Sequence, residues 1–309
     1  MRIAFLGTPA FAVPALEALQ RAGHDLVAVV AQPDRPAGRG QELREPPTKT
    51  WAKEHGCPVL QPQKVRDGAL ARALGSWSPD LLAVVAYGRI LGRDLLELAP
   101  QGAVNVHASL LPRYRGAAPI QWALAGGERE TGVTVMQMDE GLDTGDILLQ
   151  RAVSIRDDDD AEALARRLSV MGGEALVAAL ELLQSGSAVP VRQDPAEATL
   201  APVLKKEDGR LDFAVPAERL VHRIRAFRPW PGTYTTVAGR TLKVHAAAAL
   251  GDAGLRPGEA RPDGMGLLVG CGEGSSLRLL EVQLEGKRRV PAAEFLKGSP
   301  IRAGTALGT

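Results

Sequence analysis

Ala103-Val-Asn-Val-His-Ala-Ser-Leu-Leu-Pro-Arg-Tyr-Arg-Gly116 passes from an apolar strand pattern into a polar loop with no spacer between them. Side chains in a strand alternate between faces, so Asn105 and His107 project to one side while Val106 points back into the packing. An amide and an imidazole therefore share one small space at the end of a buried strand. In open α/β sheets ligands bind at the carboxyl ends of the strands, which makes this the expected place for a site.

Reading outward, Arg2 to Leu6 is a buried strand, and Gly7-Thr8-Pro9 turns it into a helix carrying Phe11, Val13, Leu16 and Leu19. The turn lacks a G-x-G-x-x-G, so no dinucleotide is expected there. Further strands are expected over Leu26 to Ala31, Val59-Leu60, Asp80 to Tyr87, Gly132 to Met138 and Ile147 to Val153, and helices over Thr48 to His55, Ala69 to Leu74 and Pro119 to Ala125. Helices alternating with near-continuous apolar strands imply parallel pairing under two helical layers. Asp160 to Leu183 reads as a long amphipathic helix, with the acidic run from Asp157 serving its positive end.

A chain of 309 residues with 45% apolar side chains points to two domains with real cores. The expected division is an α/β, Rossmann-like, mostly parallel sheet domain over 1–189, a Pro-containing linker over 190–205, and a smaller OB-like β-barrel over 206–309. In the last part, a helix is expected at Ala217 to Phe227, strands at Tyr234 to Val237, Thr241 to Ala249, Gly266 to Val269 and Ser276 to Val282, and a closing helix at Pro291 to Leu296. Charge follows the same division. Residues 1 to 205 hold 21 Lys and Arg against 25 Asp and Glu, whereas residues 206 to 309 hold 16 against 11. A basic last third fits a polyanion partner or ordinary surface charge. Two isolated cysteines, Cys57 and Cys271, fit plain thiols in a reduced compartment and exclude zinc-finger spacings. The N-terminal apolar run is too short for a signal segment or a membrane span, so a cytoplasmic location is expected.

Two loops stand out. Gln32 to Pro47 is long, rich in Pro and Gly, and carries Arg35, Arg39 and Arg44; it is either a functional loop or a solvated excursion. Asp139 to Asp146 holds four carboxylates and two glycines without EF-hand spacing, and reads as a turn that aims one carboxylate rather than a metal site. If Asp143 is that carboxylate, it joins Asn105 and His107 in a polar triad with no protein nucleophile, since Ser109 lacks a nucleophile elbow and reads as a loop or ligand contact. Such a triad suits direct attack by one substrate on an acyl group carried by another, with a fixed donor stabilising the oxyanion. Taken singly, each residue has a plainer role: Asn105 as a strand-end cap, His107 as a satisfied loop histidine, Asp143 as a turn former.

The run Asn105 to Pro119 followed by Thr131 to Asp146 resembles the 10-formyltetrahydrofolate-dependent formyltransferases. The resemblance extends to Phe5-Leu-Gly-Thr-Pro9, Gln32-Pro-Asp-Arg-Pro-Ala-Gly-Arg-Gly40, Ala86-Tyr-Gly88, Ile224 to Gly232 and Glu285-Gly-Lys287; it is weakest over Ala249 to Pro262. It implies a catalytic triad of Asn105, His107 and Asp143, and a folate-contacting segment of Ser109, Leu110, Leu111 and Pro112. It also implies a loop with Arg35 and Arg39 that engages the acceptor end of a charged initiator tRNA. The donor it implies is 10-formyltetrahydrofolate and the acceptor the α-amino group of methionine on that tRNA, with no metal, in a monomer. Glycinamide ribonucleotide or an amino sugar as acceptor, hydrolysis of the formylfolate, or tRNA binding without catalysis are the alternatives.

Overall fold

The computed structural model describes residues 1–37, 42–299 and 301–308. The chain divides into two compact units. The first comprises Met1–Pro119, Glu130–Ser154 and Ala165–Pro202, and the second comprises Ile120–Arg129, Ile155–Leu164 and the chain from Val203 onward.

In the first unit the strands are β1 (Arg2–Gly7), β2 (Asp25–Val30), β3 (Arg35–Ala37), β4 (Glu42–Arg44), β5 (Val59–Leu60), β6 (Leu81–Val85), β7 (Ala103–His107), β8 (Glu130–Gln137) and β9 (Ile147–Ser154). Seven of them make one sheet in the order β5-β2-β1-β6-β7-β8-β9. The first five pair parallel, in keeping with the near-continuous burial of β2, β1 and β6, and β8 and β9 extend the sheet antiparallel. Parallel pairing thus stops at β7, the strand that carries Asn105 and His107.

The helices up to residue 184 are α1 (Val13–Arg21), α2 (Pro47–Glu54), α3 (Ala69–Gly75), α4 (Arg93–Leu96), α5 (Pro119–Gly126) and α6 (Ala161–Gln184). Leu70 and Leu74 of α3 and Leu95 of α4 share a core with Ala4, Leu6, Val30, Leu82, Val84 and Ala103. Burying leucines of this kind contributes about 1.5–3 kcal/mol each. The opposite face of β7 is closed by α6. At Gly172 a Cβ would lie 2.9 Å from Val106 Cγ1, so only glycine lets the helix come this close to the strand. Val106 is sealed under α6, and Asn105 and His107 face the other way, on the side of Ala103. The acidic run before α6 acts as a cap: Asp160 Oδ1 accepts the Ala163 N–H at 2.9 Å.

The Gln32 to Pro47 loop contains a short hairpin that its Pro-rich sequence does not announce. Strands β3 and β4 pair Arg35 with Arg44 and Pro36 with Leu43. Its base is fixed by Asp34, whose carboxylate accepts from Lys49 Nζ at 2.7 Å and Gln61 Nε2 at 2.6 Å. Those partners hold the Asp34 carboxyl below its ordinary range. Arg39 lies outside the described residues.

The second unit adds β10 (Thr233–Val237), β11 (Arg240–Leu250), β12 (Glu259–Pro262), β13 (Leu267–Cys271), β14 (Ser275–Leu284), β15 (Val290–Pro291) and β16 (Thr305–Ala306), with α7 (Ala217–Ala226) and α8 (Ala292–Gly298). The order is β10-β11-β14-β13-β12-β16, with β15 on β14, and the pairings are antiparallel. Register shifts between Val244 and Ala247 let β11 bend, which curls the sheet around Leu220, Ile224, Leu242, Leu277, Leu279 and Val282. This is the expected OB-like half. Strands β12, β15 and β16 were not expected: β12 is polar and ends in a proline, and the other two are two residues long, too short for any periodicity. Burial pushes the Cys271 thiol up to about 11, consistent with a plain thiol in a core.

Two outcomes are expected from this packing. Gly172→Ala should force Val106 and β7 to shift, destabilising the protein by about 1–3 kcal/mol, measured by denaturant unfolding. His222 and His245 have pKa values lowered by burial, so the native state resists protons that the unfolded chain accepts near 6.5. Their contribution is fully present above that value and is lost as the pH falls through it. The thermal midpoint should therefore drop between about pH 7.5 and about pH 5.5, and less steeply in His222→Asn.

Candidate active site

Asn105 sits between Val84 of β6 and Met136 of β8. Its side chain is half-buried, and among the described residues its amide makes no hydrogen bond. His107, two residues on, is only 6% exposed and faces Thr134 across the β7–β8 pair. Its Nε2 lies 2.9 Å from the Tyr114 carbonyl. A carbonyl can only accept, so Nε2 carries the proton and Nδ1 holds the free position. Nδ1 stands 3.6 Å from Asp143 Oδ2.

Asp143 reaches this position from a turn that starts beside the opposite end of β7. Val104 pairs with Gln137, and the Met138 N–H donates to the Ala103 carbonyl. The turn is organised by another of its acids: Asp139 accepts from the Gly141 N–H at 2.9 Å and from Thr144 Oγ1 at 2.7 Å. Asp143 takes a φ of +53°, a left-handed backbone uncommon outside glycine, Asn and Asp. Its Oδ2 accepts the Gly116 N–H at 2.8 Å. Gly116 has a φ of +123°, and a Cβ there would lie 2.6 Å from the Ala201 carbonyl oxygen. The last residue of the opening stretch is therefore glycine for two reasons at once, its backbone region and its crowding.

The structure brings Asn105, His107 and Asp143 together and treats the Ser109 to Pro112 segment differently residue by residue. Ser109 is fully buried, and its hydroxyl donates to the Arg113 carbonyl at 2.6 Å, locking the turn. Thr134 donates to the Ser109 carbonyl at 2.7 Å and accepts the Leu111 N–H at 3.1 Å. Gln150 Nε2 donates to the Leu111 carbonyl at 2.8 Å. Leu111 is 3% exposed, which leaves Leu110 and Pro112 as the partly open surface of the segment. Leu142, the neighbour of Asp143, and Ile90, beyond the end of β6, are open apolar side chains. Ile90 belongs to a cavity of about 580 Å³ shared with Lys64, Val65, Arg66, Gly88 and Arg89. A second cavity, of about 450 Å³, lies among Arg2, His24, Asp25 and Cys57 at the amino ends of β1 and β2, and neither cavity is lined by a member of the triad.

Arg35 is exposed and donates to Gln32 Oε1 at 2.8 Å, while Gln32 Nε2 donates to the Tyr87 carbonyl at 2.8 Å. The base of the hairpin is thus tied to the loop after β6. Sequence reasoning missed the supports of the site. Arg115 belongs to the quoted stretch but has no role by spacing alone, and Gln193 lies in the segment expected as linker. Arg115 donates from Nε and Nη2 to Gln193 Oε1 at 3.0 and 2.7 Å. Gln193 Nε2 donates to the carbonyls of Asp143 and Gly145 at 2.9 and 2.7 Å. No local signal marks such contacts, because the partners, a side-chain amide, a guanidinium and two backbone carbonyls, are far apart in sequence.

Comparison with known proteins places this arrangement. The family model for formyl transferase matches residues 1–180, and that for the formyl transferase C-terminal domain matches residues 203–300. A methionyl-tRNA formyltransferase of Anaeromyxobacter dehalogenans is 66% identical over 302 residues, covering 96% of this chain and 97% of its own. One from Geobacter metallireducens is 50% identical over 309 residues, covering 100% and 99%. An N-formyltransferase from Helicobacter canadensis, solved with folinic acid and dTDP-3-aminofucose, shares the fold at a TM-score of 0.68 with 16% identity, covering 90% of this chain and 98% of its own. The chain belongs to the formyl transferase family.

Proposed function

We propose that the chain transfers the formyl group of 10-formyltetrahydrofolate to the α-amino group of methionine on initiator tRNA. The observation that carries the chemistry is the unspent Asn105 amide beside an imidazole whose Nδ1 faces a carboxylate. Its acceptor is argued from the full-length likeness to methionyl-tRNA formyltransferases and from the basic last third of the chain.

The methionine nitrogen attacks the formyl carbon, a C–N bond forms, and the carbonyl oxygen becomes an oxyanion that the Asn105 N–H groups stabilise. The attacking nitrogen must lose a proton, and N10 of the folate must gain one as its bond to the formyl carbon breaks. With Nε2 tied to the Tyr114 carbonyl, Nδ1 of His107 is the atom that can take up that proton. The Asp143 carboxylate stabilises the resulting imidazolium, and its Nδ1–H adds a second donor toward the oxyanion. Returning the proton to N10 releases tetrahydrofolate and leaves the formamide on the tRNA. Leu110, Pro112, Ile90 and Leu142 supply apolar surface against which the folate rings can lie. Arg35 and Arg39 are assigned to the tRNA acceptor end, where each cation on a phosphate strengthens binding and makes it salt-sensitive. The protein acts as a cytoplasmic monomer in this reading; among the described residues no helix is long and apolar enough to cross a membrane.

Incubation with 10-formyltetrahydrofolate and either charged initiator tRNA or glycinamide ribonucleotide tests the assignment. Formylated methionyl-tRNA is expected; formyl transfer to glycinamide ribonucleotide alone, or to neither, overturns it. Asn105→Ala should lower kcat by ~10²- to 10³-fold, with folate binding retained. Wild-type turnover in that variant would remove the oxyanion role. Arg39→Ala should weaken the rate at subsaturating tRNA while the rate at saturating tRNA stays within about twofold.

A further inference from the structure

Gln193 takes no part in the chemistry above, yet it is 5% exposed and every polar valence of its amide is used. Both donors of Nε2 go to the Asp143 turn, to the carbonyls of Asp143 and Gly145. Both acceptor positions of Oε1 go to the Arg115 guanidinium. Arg115 is the residue before Gly116, whose N–H holds the Asp143 carboxylate. One side-chain amide therefore spans the two loops at the point where they meet over His107.

We propose that Gln193 is a positioning residue for formyl transfer, fixing the Asp143 turn and thereby the place of its carboxylate beside His107 Nδ1. The proposal rests on the formyl-transfer reading. At 3.6 Å the imidazole is beyond hydrogen-bond reach of the carboxylate, so His107 does not itself fix where Asp143 stands. The turn must be held by other groups in a left-handed conformation, and Gln193 donates to both its Asp143 and its Gly145 carbonyls. The amide suits the task because it donates and accepts at once: a carboxylate at this position would face two carbonyl oxygens, and an ammonium would face a guanidinium. Gln193 is itself braced by its own segment. Val191 and Ile147 exchange hydrogen bonds of 2.8 Å just before it, and after it the Arg115 N–H donates to the Thr199 carbonyl at 2.8 Å while the Ala201 N–H donates to the Arg115 carbonyl at 2.7 Å.

The test is a double-mutant cycle on formyl transfer to methionyl-tRNA under single-turnover conditions, with steady-state constants measured alongside. Gln193→Glu keeps the shape and the Arg115 partner but removes the donor. It should lower kcat on the order of 10- to 100-fold, as displacement of a reacting group by about 1 Å does, with KM for both substrates within about threefold. Gln193→Ala should cost on the order of 10-fold or more in the presence of Asp143 and less than about twofold in Asp143→Ala, because a residue acting through another has nothing left to position. If Gln193→Ala does not fold, the same cycle is run with Gln193→Glu. Wild-type kcat in Gln193→Glu, or an equal loss with and without Asp143, overturns the proposal alone. Absence of transfer by the wild-type protein overturns the functional reading and the proposal with it.

Discussion

A single backbone hydrogen bond, from the Gly116 N–H to the Asp143 carboxylate, is the contact on which the centre of this molecule depends. It joins two loops, each of which passes through an uncommon backbone conformation that other contacts must hold. The one after β7 passes through a glycine in a backbone region closed to side chains, and the one after β8 carries an aspartate in a left-handed turn. Holding a carboxylate by an N–H rather than by a cation leaves its charge uncompensated and available to an imidazolium. Had an arginine taken that place, the carboxylate would be satisfied and His107 would gain little from it.

The sheet makes the arrangement possible by changing character at β7. Its parallel side supplies depth: β2, β1, β6 and β7 are largely buried, so the amide and imidazole emerge from a rigid floor. Its antiparallel side supplies handles. Thr134 on β8 and Gln150 on β9 reach the backbone of the Ser109 to Leu111 turn, because antiparallel neighbours bring polar side chains alongside the end of β7. Gly172 of α6 closes the far face so tightly that the strand cannot roll. Asn105 and His107 thus inherit their direction from packing on the side that does no chemistry.

Much of this was legible in the sequence. A period of two is enough to place Asn105 and His107 on one face, and apolar runs are enough to bury the strands behind them. The acidic turn could be read as a device for aiming a carboxylate, and the structure shows how the work is divided, with Asp139 shaping the turn and Asp143 standing at the site. Other features left no local trace. The hairpin of β3 and β4 is hidden by prolines that argue against strands, and β12, β15 and β16 are too short to show a pattern. Ser109 reads as a loop or ligand contact from the sequence, and that it is the buried pin of the turn, with its hydroxyl on the Arg113 carbonyl, is a packing result that a polar loop does not announce. Gln193 was invisible for a different reason: its partners are carbonyls and a guanidinium that only the fold brings near, and a mixed Pro-containing segment gives no reason to look there.

The segment from Val191 to Ala201 also sets an order of events during synthesis. The bonds it makes to Arg115 and to the Asp143 turn close loops of 78 and 50 residues. Contacts so distant in sequence form only after the intervening chain exists. A nascent chain that has emerged only as far as β9 already has Asn105 and His107 on their strand, yet lacks the brace that holds the aspartate turn. The catalytic unit is therefore completed from its carboxyl side, and the stretch made just before the long run from Val203 onward is the one that fastens its centre.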